Sequence, residues 1–199
     1  MPVLVTATQS AYNLNIQTGA SINITGTLQV SGTLNNNGNI IGTGATFLNG
    51  TLSQSITGSG TISNLTLNNI AGSPSTYISN LTGTMLNITG TLTPGVGALV
   101  TNGNITLKST ATSTANIAAT IGGTISGKVI IERFIPARRA WRLLTAPVNA
   151  TGAPTINAAW QEGHTYPTTP ASSETANFGT HITGGAEGRA RCVLTVTRD

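Results

Sequence analysis

The sequence predicts an all-β protein: a β-solenoid, in the form of a parallel β-helix with about 20 residues per coil, followed by a partial, loop-rich β-module. Three observations support this prediction. Apolar residues recur two positions apart, short motifs return at regular intervals, and residues 2–107 contain no Asp, Glu, Lys, Arg or His. We expect the solenoid to span residues 1–127 and the module to span residues 128–199.

Short strands are indicated by pairs of apolar residues with one residue between them. A spacing of two is the strand period, because alternate side chains of a strand point to the same face. Gly-Thr, Asn-Gly and Ser-Gly steps lie between the pairs, and these steps are typical of turns. The pairs are Leu14/Ile16, Ile22/Ile24, Leu28/Val30, Leu65/Leu67, Leu86/Ile88 and Ile105/Leu107.

The repeat unit is visible in motifs that return along the chain. Asn64-Leu65-Thr66-Leu67 returns forty residues on as Asn104-Ile105-Thr106-Leu107, and Leu86-Asn87-Ile88-Thr89 lies between them. A repeat of this length indicates a solenoid, with room for three short strands in each unit of about 20 residues. Gly-Thr followed by Leu or Ile also recurs, at Gly26, Gly32, Gly50, Gly60, Gly90 and Gly123.

The lack of charge in the first half also fits a solenoid. Successive coils of a β-helix stack about 4.8 Å apart, so a charge repeated in every coil would repel its neighbours. Thr and Asn side chains can instead form hydrogen-bonded ladders from coil to coil. Residues 13–127 would then wind into roughly six coils, or about 30 Å of rod.

Composition and charge exclude several classes of protein. Charged residues are 7% of the chain, which is too few for the heptads of a coiled coil. A single Cys rules out an intramolecular disulfide framework. All charged side chains lie after Leu107, so the net positive charge does not predict a nucleic-acid partner, which needs clustered basic groups. No run approaches the about 20 apolar residues of a membrane span, and we expect no membrane insertion.

The character of the chain changes after residue 127. Residues 128–135 are predicted to form a strand with large apolar side chains, which Pro136 ends. Residues 148–185 are rich in turn residues and contain three prolines. We therefore expect residues 128–199 to form a second module that is incomplete in this chain.

The junction between the two parts resembles a known family. Residues 123–148, GTISGKVIIERFIPARRAWRLLTAPV, are similar to a segment of large secreted surface proteins of Bacteroidota, in which Thr/Asn/Gly-rich β-repeats lead into a sequence of this kind. The resemblance covers residues 60–185. It implies an exported, multidomain, adhesin-like protein of the type IX-secreted kind, located at the cell surface or outside the cell, with no defined catalytic activity.

Two features of that family's pattern are not found in the sequence. There is no export signal at its start and no sorting domain at its end, and residues 186–199 depart from the family's style. We therefore expect the chain to be part of a longer protein, and we expect the further domains of that protein to be among its partners.

Four residues at the boundary form a concentrated basic and aromatic cluster: Arg138, Arg139, Trp141 and Arg142. One interpretation is a contact site for an acidic extracellular glycan, in which Trp stacks on a sugar ring and Arg pairs with carboxylates. The other is a cap, in which the Trp and the Arg stems cover the open end of the solenoid. The position at the change of composition favours the cap.

No motif predicts a catalytic residue, a cofactor site or a metal site. Residues 122–128 satisfy the pattern GxxxxGK, but Val129 stands where a phosphate-binding loop needs Ser or Thr, and a strand rather than a helix is expected to follow. His164, His181 and Cys192 are too isolated to supply the three or four ligands of a metal site.

Seven Asn-x-Ser/Thr sequons are interpreted as ladder or turn residues of the repeat, because a Thr/Asn-rich composition produces them without any role in glycosylation. They begin at Asn23, Asn49, Asn64, Asn80, Asn87, Asn104 and Asn149.

Two functions follow as hypotheses. The first is a structural and adhesive segment of a secreted or cell-surface protein, acting as a stalk or spacer with surface or glycan contact. The alternative is a carbohydrate-binding or polysaccharide-degrading β-helix protein. The catalytic version of the alternative would need carboxylates on the coil faces, and residues 2–107 contain none.

Overall fold

The computed structural model describes residues 1–71, 76–78, 84–119 and 122–134. Within these residues the chain forms nineteen short strands and no helix. The strands are β1 (Val3–Val5), β2 (Thr8–Ala11), β3 (Leu14–Ile16), β4 (Ser21–Ile24), β5 (Thr27–Val30), β6 (Leu34–Asn36), β7 (Asn39–Ile41), β8 (Ala45–Leu48), β9 (Gln54–Thr57), β10 (Thr61–Ile62), β11 (Leu65–Asn68), β12 (Thr76–Ile78), β13 (Leu86–Ile88), β14 (Thr91–Val96), β15 (Ala98–Val100), β16 (Ile105–Leu107), β17 (Asn116–Ile117), β18 (Thr124–Ser126) and β19 (Ile130–Ile131).

Every third strand belongs to the same sheet, so three parallel sheets run along a rod. The first sheet has the order β1-β4-β7-β10-β13-β16-β19, the second β2-β5-β8-β11-β14-β17, and the third β3-β6-β9-β12-β15-β18. All pairings between these strands are parallel. The described part of the chain is therefore an all-β parallel β-solenoid, as the sequence predicts for residues 1–127.

One column of register partners in the first sheet shows the period of the repeat. Its members are Val3, Ile22, Ile40, Ile62, Ile88, Leu107 and Ile131. Successive members are 18 to 26 residues apart in sequence, which confirms a coil of about 20 residues. The strands stay in register, and the coils differ in length because their turns contain different numbers of residues.

The core is a stack of aliphatic side chains from all three sheets. Among the described residues it consists of Ile, Leu, Val and one Ala. Both members of four predicted pairs are buried in it, namely Leu28/Val30, Leu65/Leu67, Leu86/Ile88 and Ile105/Leu107. Each buried side chain lies about 4.8 Å from the equivalent residue of the next coil, so side chains of similar size fill the interior.

The recurring Gly-Thr-Leu motif has a physical reason at the turns into the second sheet. A Cβ at Gly26 would lie 2.6 Å from the carbonyl oxygen of Ala7, and one at Gly90 would lie 2.6 Å from that of Ser63. Only Gly allows the coils to approach this closely. The Thr that follows faces outward and the Leu faces the core.

Two buried amides join neighbouring coils at the edge between the second and third sheets. Gln54 Nε2 donates to the carbonyl oxygens of Val30 and Gly32, both at 2.8 Å. Gln54 Oε1 accepts from the backbone N–H of Gly50 at 2.9 Å and from Nδ2 of Asn69 at 2.6 Å. The polar groups of the Gln54 side chain are therefore satisfied, which is what makes its burial tolerable.

The strand predicted over residues 128–135 is shorter in the structure. Strand β19 covers Ile130–Ile131 alone, and residues 132–134 are not in a strand. The reason is the partner strand. Because β19 pairs only with the last two residues of β16, the length of β19 is limited by β16 and not by the apolar run of residues 128–135. The division of the chain at residue 127 stays a prediction, because residues 135–199 lie outside the described part.

Thr46 gives a prediction about the core. It lies between Leu28 and Leu65 in one inward column, it is 0% exposed, and its hydroxyl has no hydrogen-bond partner. Thr46→Val keeps the shape and removes the unpaired hydroxyl, so we expect the free energy of unfolding to rise by about 1 kcal/mol. Urea unfolding of both proteins measures the difference.

The matched control is Thr66→Val, a change of the same kind at a half-buried, outward-facing position of the same sheet. We expect it to alter the free energy of unfolding by less than about 0.5 kcal/mol. A loss of stability in Thr46→Val would show that the buried hydroxyl is stabilised by a partner.

Candidate functional site

The outward faces of the coils carry columns of hydroxyl and amide side chains. One such column, formed by the first sheet, contains in register order Ser21, Asn39, Thr61 and Asn87; the next residue of this column, Thr106, is buried. Each of these groups can both donate and accept hydrogen bonds. The surface of the rod is therefore polar without being ionic.

Asn side chains connect the coils on this surface. Asn64 Nδ2 donates to the carbonyl oxygen of Gly44 at 3.0 Å, and its Oδ1 accepts from the backbone N–H of Thr91 at 3.0 Å. Asn13 Oδ1 accepts from the backbone N–H and from the hydroxyl of Thr33 at 2.7 and 2.9 Å. The ladder and turn interpretation of the sequon at Asn64 is thus confirmed. The sequons at residues 80 and 149 lie outside the described part.

Charged side chains first appear near the C-terminal end of the described rod. Lys108 Nζ lies 2.7 Å from Glu132 Oε1, and the two side chains are 36% and 13% exposed. They follow the register partners Leu107 and Ile131, so they occupy equivalent positions of successive coils. A stacked position therefore holds charges of opposite sign, as a spacing of about 4.8 Å requires.

The residues predicted to contact a glycan or cap the rod, Arg138, Arg139, Trp141 and Arg142, all lie outside the described residues. The same is true of His164, His181 and Cys192. The GxxxxGK pattern of residues 122–128 lies within the described part, and strand β18 lies within the pattern. A strand at that place lacks the helix N-terminus that would bind phosphate.

One surface feature was missed by the sequence analysis. The turns between the second and third sheets expose Tyr12 (70%), Leu52 (72%) and Ile70 (68%), and Val96, the last residue of β14, is 41% exposed. The signal was present in the sequence: these residues stand in or beside turn segments, outside the apolar pairs that form the core.

The described residues offer hydrogen bonding and apolar contact but little acid–base chemistry. They contain no group of three or more His, Cys, Asp or Glu residues that could hold a metal ion. In the described part of the chain, no helix has the length and apolar character needed to cross a membrane. No protein-family model, curated protein or solved structure matches this chain.

The ion pair between Lys108 and Glu132 gives a prediction about charge stacking. Glu132→Lys places two cations in equivalent positions of successive coils, so we expect the free energy of unfolding to fall by about 1 kcal/mol at low ionic strength. Because salt screens the repulsion, the loss should shrink at about 0.5 M NaCl. Denaturant unfolding at the two salt concentrations measures both effects.

The control is the exchanged pair Lys108→Glu with Glu132→Lys, which restores opposite charges at the same two positions. Its stability should return most of the way to that of the parent protein. If the exchanged pair were as unstable as Glu132→Lys alone, repulsion between stacked like charges would not be the cause of the lost stability.

Proposed function

We propose that this chain is a structural and adhesive segment of a secreted or cell-surface protein, in which the β-solenoid is a stalk or spacer. The observation that carries the proposal is the unbroken column of register partners from Val3 to Ile131. A column of seven strands separated by about 4.8 Å spans about 29 Å. Such a rod holds its ends at a fixed distance without needing a pocket.

Rigidity of the rod supports a spacing role. Three hydrogen-bonded sheets run its length, and contacts between coils are repeated at every step. Each coil adds about 4.8 Å, so length is set by the number of coils. Stability is shared between nearest neighbours, as in other repeat proteins, and coils can be added or removed without redesigning the rest.

Extracellular or cell-surface placement rests on the resemblance of residues 123–148 to Bacteroidota surface proteins. The adhesive part of the proposal, contact with an extracellular glycan or surface polymer, rests on Arg138, Trp141 and Arg142 in the sequence. That cluster is also what favours the alternative function, a carbohydrate-binding protein with the solenoid as its scaffold.

A distance measurement tests the spacer. Thr8 and Asn116 lie in one outward column, five coil steps apart, which corresponds to about 24 Å. In a Cys192→Ser background, spin labels at Thr8→Cys and Asn116→Cys should give a narrow distance distribution near that value. Deleting residues 22–39, the interval between the register partners Ile22 and Ile40, should shorten it to about 19 Å.

The control is the smaller deletion of residues 31–44, which removes β6 and β7. It joins β5 directly to β8, which belongs to the same sheet in the next coil. Because the residues that would complete the coil through the third and first sheets are missing, cooperative unfolding should be lost. A broad distribution in the parent protein, or an unchanged distance after the one-coil deletion, would argue against a rigid spacer.

The glycan contact has its own test. Trp141→Ala in the full chain should reduce binding to acidic polysaccharides on a glycan array at least about tenfold, with the unfolding midpoint unchanged. Arg139→Ala in the same cluster is the comparison for loss of charge without loss of the ring. If Trp141→Ala instead lowers the unfolding midpoint and leaves binding intact, the residue is a cap.

A further inference from the structure

The chain contains three Asn-Gly steps, Asn37-Gly38, Asn49-Gly50 and Asn102-Gly103. In such a step the backbone nitrogen of Gly can attack the side-chain amide carbon of the preceding Asn, because Gly has no Cβ to hinder the approach. The attack requires that the Gly nitrogen leave its hydrogen bond. It also requires room for the peptide to rotate into a succinimide ring. The structure separates the three steps in both respects.

Close packing blocks the first two steps. A Cβ at Gly38 would meet the carbonyl oxygen of Ala20, and one at Gly50 would lie 2.6 Å from the carbonyl oxygen of Ser31. Both glycines are buried. Because the backbone of the preceding coil fills this space, neither peptide can rotate into the ring geometry without separating two packed coils.

Buried hydrogen bonds hold the nitrogens of the same two glycines. Gly50 N donates to Oε1 of the buried Gln54 at 2.9 Å, and Gly38 N donates to Oδ1 of the buried Asn36 at 3.2 Å. Breaking either bond would leave a buried acceptor without this donor, which is costly. Attack by these nitrogens is therefore opposed by hydrogen bonding as well as by packing.

The third step stands at the tip of the turn between β15 and β16. Asn102 and Gly103 both have positive φ, at 51° and 78°, and Asn104 N donates to Thr101 O at 2.9 Å, as in a type I′ turn. Asn102 is exposed, and a Cβ at Gly103 would meet nothing within 4 Å. Gly103 N donates to the Thr101 hydroxyl at 3.3 Å, which is a long hydrogen bond. This turn can therefore open without disturbing a neighbouring coil.

The next coil has a cation at the position equivalent to Asn102. Asn102 and Lys128 each stand two residues beyond the register partners Val100 and Ser126. The two segments touch there, since the Thr101 hydroxyl donates to the carbonyl oxygen of Lys128 at 2.7 Å. A carboxylate at residue 102 would therefore lie one coil away from the ammonium group of an exposed side chain, and the two charges would attract.

We propose that Asn102 is a site of spontaneous deamidation, at which the rod acquires a negative charge and keeps its fold. Gly103 N attacks Cγ of Asn102, the side-chain amide leaves as ammonia with the proton of Gly103 N–H, and a succinimide ring remains. Water then opens the ring to Asp or isoaspartate. Isoaspartate lengthens the main chain between β15 and β16, outside both strands. The new carboxylate pairs with Lys128 in the same way that Glu132 pairs with Lys108.

Hydroxylamine tests the selectivity, because it attacks the succinimide and cleaves the chain at that step. In the folded full chain, cleavage after Asn102 should be at least about tenfold faster than cleavage after Asn37 or Asn49, as measured from the masses of the fragments. In the chain unfolded with guanidinium, the three steps should react at comparable rates. Asn102→Gly suits the positive φ, so it should abolish the fast cleavage and leave the unfolding midpoint unchanged.

Ageing tests whether the fold tolerates the new charge. The full chain kept in mildly alkaline buffer should gain the mass of deamidation at residue 102 first, and its unfolding midpoint should not fall. Asn102→Asp should likewise keep the midpoint of the parent protein. Asn37→Asp is the matched control. It replaces the Nδ2 that donates to Asn35 Oδ1 at 3.0 Å with a second acceptor, between coils that carry no charge, so its midpoint should fall.

A double-variant cycle tests the pairing with Lys128. Lys128→Gln should lower the midpoint more in the Asn102→Asp protein than in the parent protein, because it removes the cation beside the new carboxylate. The difference should shrink at high salt, which screens the two charges. An equal effect of Lys128→Gln in both proteins would refute the pairing.

The site itself is overturned by equal cleavage at the three steps of the folded chain, or by faster reaction after Asn37 or Asn49. Its tolerance by the fold is overturned if Asn102→Asp lowers the midpoint as much as Asn37→Asp does. These results do not depend on the spacer role, because the reaction and the unfolding midpoint are measured on the isolated chain.

Discussion

The structure depends on one constraint: each coil lies directly over its equivalent at a separation of about 4.8 Å. At that distance a position in one coil touches the same position in the next. Inside the rod, neighbours must therefore be alike in size, and the column from Ile40 through Ile62 and Ile88 satisfies this with Ile alone. At the turns into the second sheet, the close approach of the coils leaves no room for a Cβ at Gly26 or at Gly90.

The same constraint decides which side chains the outside can carry. Repeated hydroxyls and amides can bond to one another or to the backbone of the next coil, as Asn64 does with Gly44 and Thr91. Repeated ions cannot, unless their signs alternate, and the stacked pair of Lys108 and Glu132 alternates. The neutral composition of residues 2–107 thus follows from geometry, and it is a poor guide to activity.

Much of the fold could be predicted from the sequence because its signals are local. Pairs such as Leu65/Leu67 indicate which face of a strand points into the core. The recurrence of Asn64–Leu67 as residues 104–107 indicates the length of the repeat. The limits of β19 were not predictable, because they depend on the partner strand β16 rather than on its own residues. The burial of Thr46 and Gln54 was not predictable either, since only the assembled coil shows which polar groups face inward. The cluster at Arg138 and Trp141 stays a prediction from composition alone.

Specific contacts of such a rod must come from its turns and not from its faces. The faces repeat, so any partner that fits one coil fits the next equally well and could slide along the column. The turns are free to differ, because a change in loop length costs little and leaves the strands in register. The turn after β8 is longer than the turn after β5, and the longer turn exposes Leu52, whereas the shorter one has no large apolar side chain. A solenoid with a uniform core can in this way carry a different side chain at each turn. The order of these side chains distinguishes one coil from the next and one end of the rod from the other.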